Sequence, residues 1–563
     1  MFRFFLISSL FLLSACSSPR YIGIDSYELL TNSELDPQFI ERFTIITSVV
    51  DNEIPVLCRQ LAEQSFQTYS ASFLVFTCAK RWLSLDLTDE QAAEAILLFN
   101  QSLEPLVRLA LSDTHTQPIN FKVRIDRSSY DYKVFDNINF SSDVRSLDAF
   151  TTTTPNDTSV GVALVGQRAN NGENLDKFYP QEGVFRPLAA MPLSLDVSNP
   201  NLPVLNLELK RPHNSFWRSG SRLYPVVNDL ATSYLLLAEA AKIGEYELTG
   251  LFLSDQVEDK LGIYAIEQIV PHKIPILMIH GLNSSPMIWR RLSWALSSDP
   301  KLAERYQIWH AFYPSGPPPF YSAMLLKSKL AELKSELNFP SESLVNNEMW
   351  IIGHSMGGII SRLFVVNSGM HLWDRTFSVG PDDLGLYEDD VEAFKEIFLI
   401  TPERNVKGVV FIETPHKGSA ISERFFARVA SAIIRLPISM RELFSSIWKG
   451  GVEKFVKPEM KPYMTRTGPD SVRVLSPQHP LIQELSKLHP VVPFFSVVGN
   501  NNPATCSDVL NCPDMTDGVV EYSSAHMKNA QQEVVVHSAH NAYQSPEAIE
   551  FILEILAGSI SND

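Results

Sequence analysis

The residues best placed to do chemistry in this chain are Gly353-His354-Ser355-Met356-Gly357. The run before them, Met349-Trp350-Ile351-Ile352, is wholly apolar and reads as a buried strand. The run after them, Gly358-Ile359-Ile360-Ser361-Arg362-Leu363, reads as a helix. Ser355 therefore stands on a tight strand-to-helix turn with a strained backbone. Side-chain bulk two residues to either side would clash, so glycine occupies both places. A serine presented in this way can attack an acyl carbon once a base takes its proton, and a carboxylate must then steady the base. Residues 533–536 read as the last strand, with His537 and His540 at its end, and either could serve as the base. His526 lies before that strand, too early for the role. The loop after residues 494–498 carries Asp508, Asp514 and Asp517 as candidate acids.

From Pro271 onward, apolar strands alternate with helical patterns, the signature of a parallel sheet covered on both faces. Strands are expected at 276–279, 307–312, 349–352, 408–412, 494–498 and 533–536. Helices are expected at 286–296, 322–337, 357–367, 480–488 and 545–557. The predicted fold class is α/β, preceded by a helical segment and a β-rich region.

Several motifs in the second half follow one another in a fixed order: Ile279-His280-Gly281-Leu282-Asn283, Gly353-His354-Ser355-Met356-Gly357-Gly358, Thr414-Pro415-His416-Lys417-Gly418-Ser419, Asp517-Gly518-Val519-Val520, and Ser538-Ala539-His540. With them, residues 271–563 resemble lipase-type α/β hydrolases. The closer likeness is to bacterial lipoprotein hydrolases related to triacylglycerol lipases and to the glycosylphosphatidylinositol-deacylase-like group. The resemblance implies Ser355 as nucleophile, Asp517 as acid and His540 as base, in the chain order of that fold. It also implies that the backbone N–H groups of Leu282 and Met356 form an oxyanion hole, with His280 shaping the loop. No metal or organic cofactor is needed for such chemistry.

Residues 419–460 fall where this fold often carries a lid. Phe425/Phe426, Val429/Ala430 and Ile433/Ile434 recur at helical spacing, and Leu443, Phe444, Ile447 and Trp448 form a second apolar set. These sets suit either a helix packed on the sheet or a movable acyl-binding wall. Pro314-Ser315-Gly316-Pro317-Pro318-Pro319-Phe320 is a stiff loop expected near the site mouth.

The first half carries no catalytic constellation. Residues 37–115 are expected to be helical, with Thr88 and Gln91 forming a capping box, and residues 116–270 to be β-rich, with strands expected at 120–125, 160–165, 203–209 and 248–253. The start of the chain reads as a targeting segment: Arg3, an apolar run too short to span a bilayer, then Leu13-Ser14-Ala15-Cys16. That ending looks like a bacterial lipobox. It implies a signal peptide at 1–15, lipidation of Cys16, and a polar tether at 16–36. Ser17 in the next position favours the outer membrane, facing the periplasm. An exported chain permits disulfides, and the simplest pairing of the other cysteines is Cys58 with Cys78 and Cys506 with Cys512.

The chain has 563 residues, a formal charge of −17 and 45% hydrophobic residues. This is a multidomain globular composition whose acidity repels nucleic acid. The expected activity is hydrolysis of a carboxylic ester of a lipid or other apolar acyl group. An acyltransferase or amidase would use the same acyl-enzyme. A lipid-anchored binding or scaffold protein with a secondary hydrolase domain is the third reading, with any protein partner of residues 17–270 unknown.

Overall fold

The computed structural model describes residues 22–24, 36–63, 68–112, 120–127, 133–146, 158–212, 215–241, 254, 257–420, 435–464, 469–502 and 515–560. The segment expected to be a signal peptide, Cys16, most of the expected tether, Cys506, Cys512, Asp508, Asp514, the strand expected at 248–253 and the apolar stripe at 425–434 lie outside them. Among the described residues, no helix is long and apolar enough to cross a membrane.

The first half opens with a short strand, β1 (Ile22–Ile24), followed by four helices: α1 (Phe39–Ser48), α2 (Ile54–Glu63), α3 (Tyr69–Trp82) and α4 (Asp89–Leu111). The capping box is present: Thr88 accepts from Gln91 N–H, and Gln91 reaches back to Thr88 N–H. Cys58 on α2 and Cys78 on α3 are joined by a disulfide.

The strands that follow are β2 (Lys122–Ile125), β3 (Asn137–Phe140), β4 (Val144–Ser146), β5 (Val162–Arg168), β6 (Val184–Asp196), β7 (Val204–Lys210), β8 (Phe216–Ser219) and β9 (Arg222–Pro225). Five of them form a sheet in the order β2-β7-β6-β5-β3. Helix α5 (Leu230–Ala241) ends this part, a departure from the purely β-rich reading of 116–270. The helical and β-rich parts are also less separate than expected. Phe73, Phe76, Phe99, Leu164, Leu188 and Leu205 belong to one apolar core, because the sheet has one face to bury and the helices supply the cover.

The second sheet has seven strands in the order β10-β12-β11-β13-β14-β15-β16. They are β10 (Gly262–Ala265), β11 (Ile274–Ile279), β12 (Tyr306–Phe312), β13 (Met349–His354), β14 (Val406–Ile412), β15 (Phe494–Gly499) and β16 (Gln532–Val536). All neighbours are parallel except β10, which pairs antiparallel with β12 at the edge. This is the α/β-hydrolase arrangement. Its sheet begins at Gly262, before the expected boundary at 271, since a four-residue edge strand is too short to show a period.

Successive residues of one strand enter different cores. Leu277 and Ile279 face one apolar cluster, while Ile276 and Met278 face the other. Burial on both faces is why these strands are apolar throughout. The longer covering helices are α6 (Arg290–Ser298), α7 (Pro319–Leu337), α8 (Met356–Leu363), α9 (Glu388–Phe398), α10 (Ile438–Lys449) and α11 (Pro546–Ile560).

Candidate active site

Ser355 occupies the single-residue turn between β13 and α8, with φ 55 and ψ −124. A non-glycine residue in this region is strained, and the surroundings hold it there. Ser355 N–H donates to the Ile412 carbonyl at 2.9 Å, and its own carbonyl accepts from Gly358 N–H. The flanking glycines leave no room for substitution. A Cβ on Gly353 would lie 2.2 Å from Ser361 Oγ, and one on Gly357 would lie 2.2 Å from the Ile279 carbonyl oxygen. The motif is thus a close approach of α8 to β11, and Ser355 is left only 8% exposed.

His540 arrives from the loop after β16. Its Nε2 lies 2.9 Å from Ser355 Oγ, and its Nδ1 lies 2.7 Å from Asp517 Oδ2. Asp517 is almost fully buried, and its Oδ1 accepts two backbone N–H groups, from Val519 and Val520, both at 2.7 Å. Gly518 makes this turn possible at φ 94. The Asp-Gly-Val-Val run therefore has a mechanical meaning: its amides hold one carboxylate oxygen while the other faces the imidazole.

The competing histidines go elsewhere. The His537 ring contacts the Asn500 carbonyl through Nδ1 at 3.0 Å, and His526 pairs with Glu533.

The loop after β11 passes directly over the serine: a Cβ on Gly281 would come 2.9 Å from Ser355 Cβ. Met356 is the first residue of α8, so its N–H is one of the donors a helix start leaves unpaired. Among the described residues, no hydrogen bond is made by the Leu282 N–H. Asn283 N–H donates to Ser315 Oγ, which ties the proline-rich loop to this one. His280 is buried against Tyr313, with ring centroids 4.4 Å apart, and burial lowers its pKa to about 4. It is a neutral packing residue.

The Thr414–Ser419 segment joins the two sides of the site. Ser419 Oγ donates to the Val519 carbonyl, and Lys417 N–H donates to Ser524 Oγ. His416 lies with Nδ1 3.3 Å from Arg362 Nη1. Arg362 also donates to the carbonyls of Ser486 and Leu488, and burial pulls its pKa down to about 9.

One group escaped the sequence reading. Glu413, directly after β14, is buried at φ 48. Its Oε2 lies 3.3 Å from His354 Nε2 and 3.8 Å from His540 Nδ1. Burial and then the charge of Asp517 push its pKa well above the usual carboxylate range. A carboxylate at the C-terminal end of a parallel strand is the signal that marks it, since ligand chemistry collects there. His354, Glu413 and His540 bring potential metal-ligating atoms within 4.8 Å of one another. Both nitrogens of His540 are already committed to Ser355 and Asp517, so the cluster reads as a hydrogen-bond network.

In the segment considered as a lid, the described part is a packed helix. Leu443, Phe444 and Ile447 of α10 are buried, and Phe444 meets Phe394 of α9 at 5.6 Å.

No protein-family model and no curated protein matches this chain. Solved structures do resemble it. One is the Bacillus licheniformis lipase BlEst2 in mature form, at 16% identity, covering 52% of this chain and 97% of that one, with a TM-score of 0.29. Another is lipase 1 from Pelosinus fermentans, at 13% identity, covering 51% and 98%, with a TM-score of 0.30. EstA from Clostridium botulinum is similar at 14% identity, covering 56% and 96%, with a TM-score of 0.29.

Proposed function

We propose that this protein is a serine hydrolase that cleaves carboxylic esters of lipids or other apolar acyl groups. The observation that carries this reading is the continuous hydrogen-bonded line from Ser355 Oγ through His540 to Asp517. In this mechanism His540 Nε2 takes the Ser355 proton as Oγ bonds to the acyl carbon. The carbonyl oxygen becomes an oxyanion, met by the N–H groups of Leu282 and Met356. His540 then returns the proton to the leaving alkoxide, and the acyl-enzyme forms. Water enters, gives a proton to His540 and bonds through its oxygen to the acyl carbon. The Ser355 Oγ–acyl bond then breaks, Oγ recovers the proton from His540, and the carboxylic acid departs. Asp517 orients the ring and stabilises its charged form throughout.

The membrane assignment belongs to the same proposal. A lipidated Cys16 would hold the enzyme at the bacterial outer membrane, on the periplasmic side, beside acyl-ester substrates. Palmitate labelling that survives Cys16→Ser would refute that anchor.

The activity is tested with a fluorophosphonate probe on protein lacking residues 1–16. Labelling that requires Ser355 is the expected result. Equal labelling of Ser355→Ala, or none of either protein, overturns the reading. A series of p-nitrophenyl esters of increasing chain length then defines the acyl group.

A further inference from the structure

Glu413 is a second carboxyl group at the base, and the triad as described makes no use of it. Its position is built, since Gly499 at the end of β15 makes room for it. A Cβ on Gly499 would fall 2.0 Å from Glu413 Oε1 and 2.9 Å from Asp517 Cβ. The backbone at Glu413 is held at φ 48, a conformation that an ordinary strand end does not require. The carboxyl group grips the loop that carries His540 at two points. Ala542 N–H donates to Oε2 at 3.1 Å, and Ser538 Oγ stands 3.1 Å from Oε1.

Hydrogen-bond accounting indicates which form Glu413 takes. Ser538 Oγ is also 2.6 Å from the Ala539 carbonyl oxygen, which can only accept. The hydroxyl has one proton, and the shorter contact claims it. A proton on Glu413 Oε1, donated to Ser538 Oγ, completes the set. The titratable groups facing Glu413 are Asp517, His354 and His540, and among the described residues no Lys or Arg forms an ion pair with it. Two carboxylates this close repel each other, and one of them keeps its proton.

We propose that Glu413 is the reserve carboxyl partner of His540: it holds the His540 loop while Asp517 orients the ring, and it takes over the orienting role when Asp517 is lost. This rests on the serine-hydrolase reading above. In Asp517→Asn the neighbouring charge is gone. Burial still raises its pKa, so Glu413 gives its proton to water as pH rises, and its Oε2 then needs to close only about 1 Å to accept the Nδ1–H of His540. Glu413 is a positioning residue, since it acts on the substrate only through the imidazole.

The test is a double-mutant cycle of wild type, Glu413→Gln, Asp517→Asn and the double variant. It is read by kcat and KM on a p-nitrophenyl ester across pH, with fluorophosphonate labelling of each folded protein. Glutamine fits the resting site: its amide oxygen accepts from Ala542, and its NH2 donates to Ser538. Glu413→Gln alone is expected to stay within about threefold of wild type. Asp517→Asn should lose roughly 10²-fold in kcat with KM little changed, and should recover as pH rises and Glu413 ionises. The double variant should fall to roughly 10⁴-fold below wild type, the loss typical when an imidazole has no carboxylate, and show no recovery. A purely structural role predicts equal losses from Glu413→Gln on both backgrounds. Equal activities of Asp517→Asn and the double variant, or a loss above tenfold in Glu413→Gln alone, overturn the reserve role. Absence of labelling in wild type overturns the hydrolase reading itself, and this inference falls with it.

Discussion

His540 Nε2 stands 2.9 Å from Ser355 Oγ, although 185 residues separate the two in the chain. The contact exists because β13 and β16 run parallel and both end on the same, C-terminal side of one sheet. The strained turn fixes the serine, and Asp517 fixes the ring. Nothing has to move before a proton can pass, which is the preorganisation that acyl transfer needs.

The histidine assignment is tested by comparing His540→Ala with His537→Ala. The first should lose roughly 10⁴-fold or more in kcat, as Ser355→Ala should. The second should stay within a few-fold, because the His537 ring contacts the Asn500 carbonyl and not the serine. Steady-state kinetics on a short p-nitrophenyl ester separate the two, and the reverse order would contradict the geometry.

Gly499 and Gly369 make a contrasting pair for Gly→Ala substitution. At Gly499 the new methyl would collide with Glu413 and Asp517, so kcat should fall more than tenfold with KM nearly constant. At Gly369 no atom lies within 4 Å, but φ is 46. Only backbone strain of about 1 kcal/mol is expected there, seen as a small drop in unfolding midpoint with activity intact.

Stability should depend on pH through buried histidines. Burial lowers His280 to about 4, and His310 and His479 to about 3, from an ordinary value of 6.5. Above pH 6.5 both the folded and unfolded forms are neutral, and stability is complete. Below it the unfolded chain takes up protons that the folded one refuses, so stability falls as pH drops toward 4. Each group contributes up to about 1.4 kcal/mol per pH unit in that window. Urea midpoints at pH 7.5 and 5.0 measure the slope. His310→Gln, which can still hydrogen-bond Tyr234 and Ser293, should flatten it.

The Cys58–Cys78 bridge closes a loop with a sequence separation of 20. Removing it as Cys58→Ala/Cys78→Ala should lower stability by about 3 kcal/mol, mainly by freeing the unfolded chain. Chemical denaturation without reductant gives the difference, and activity at low denaturant should persist because the bridge lies in the first half. Unchanged stability would mean that the helices hold α2 to α3 unaided.

Much of the second half was legible residue by residue. The strand expected at 349–352 is the core of β13, and the helix expected at 322–337 lies within α7. Both patterns report burial, which a side chain records at its own position. The glycines around Ser355 were legible for the same reason, since each reflects a contact too close for a Cβ. Helix α5 departs from the β-rich pattern of its stretch, and its nearly continuous run of apolar and small residues, Leu230–Ala241, presents no polar face that would mark a helical period.

The choice between His537 and His540 was of another kind, because both follow the same strand and both could reach. The direction of each ring depends on the path of the loop, which Glu413 and Asp517 hold from distant strands. Glu413 itself carries no local mark beyond following an apolar strand. Its meaning comes from Gly499, Ser538 and Ala542, which reach it only when β14, β15 and β16 lie side by side. Burial and turn strain are written locally, so Ser355 and its sheet could be read from the chain alone. Which polar groups converge on Ser355 is set by contacts between distant segments, so that part of the site was decided by the folded structure.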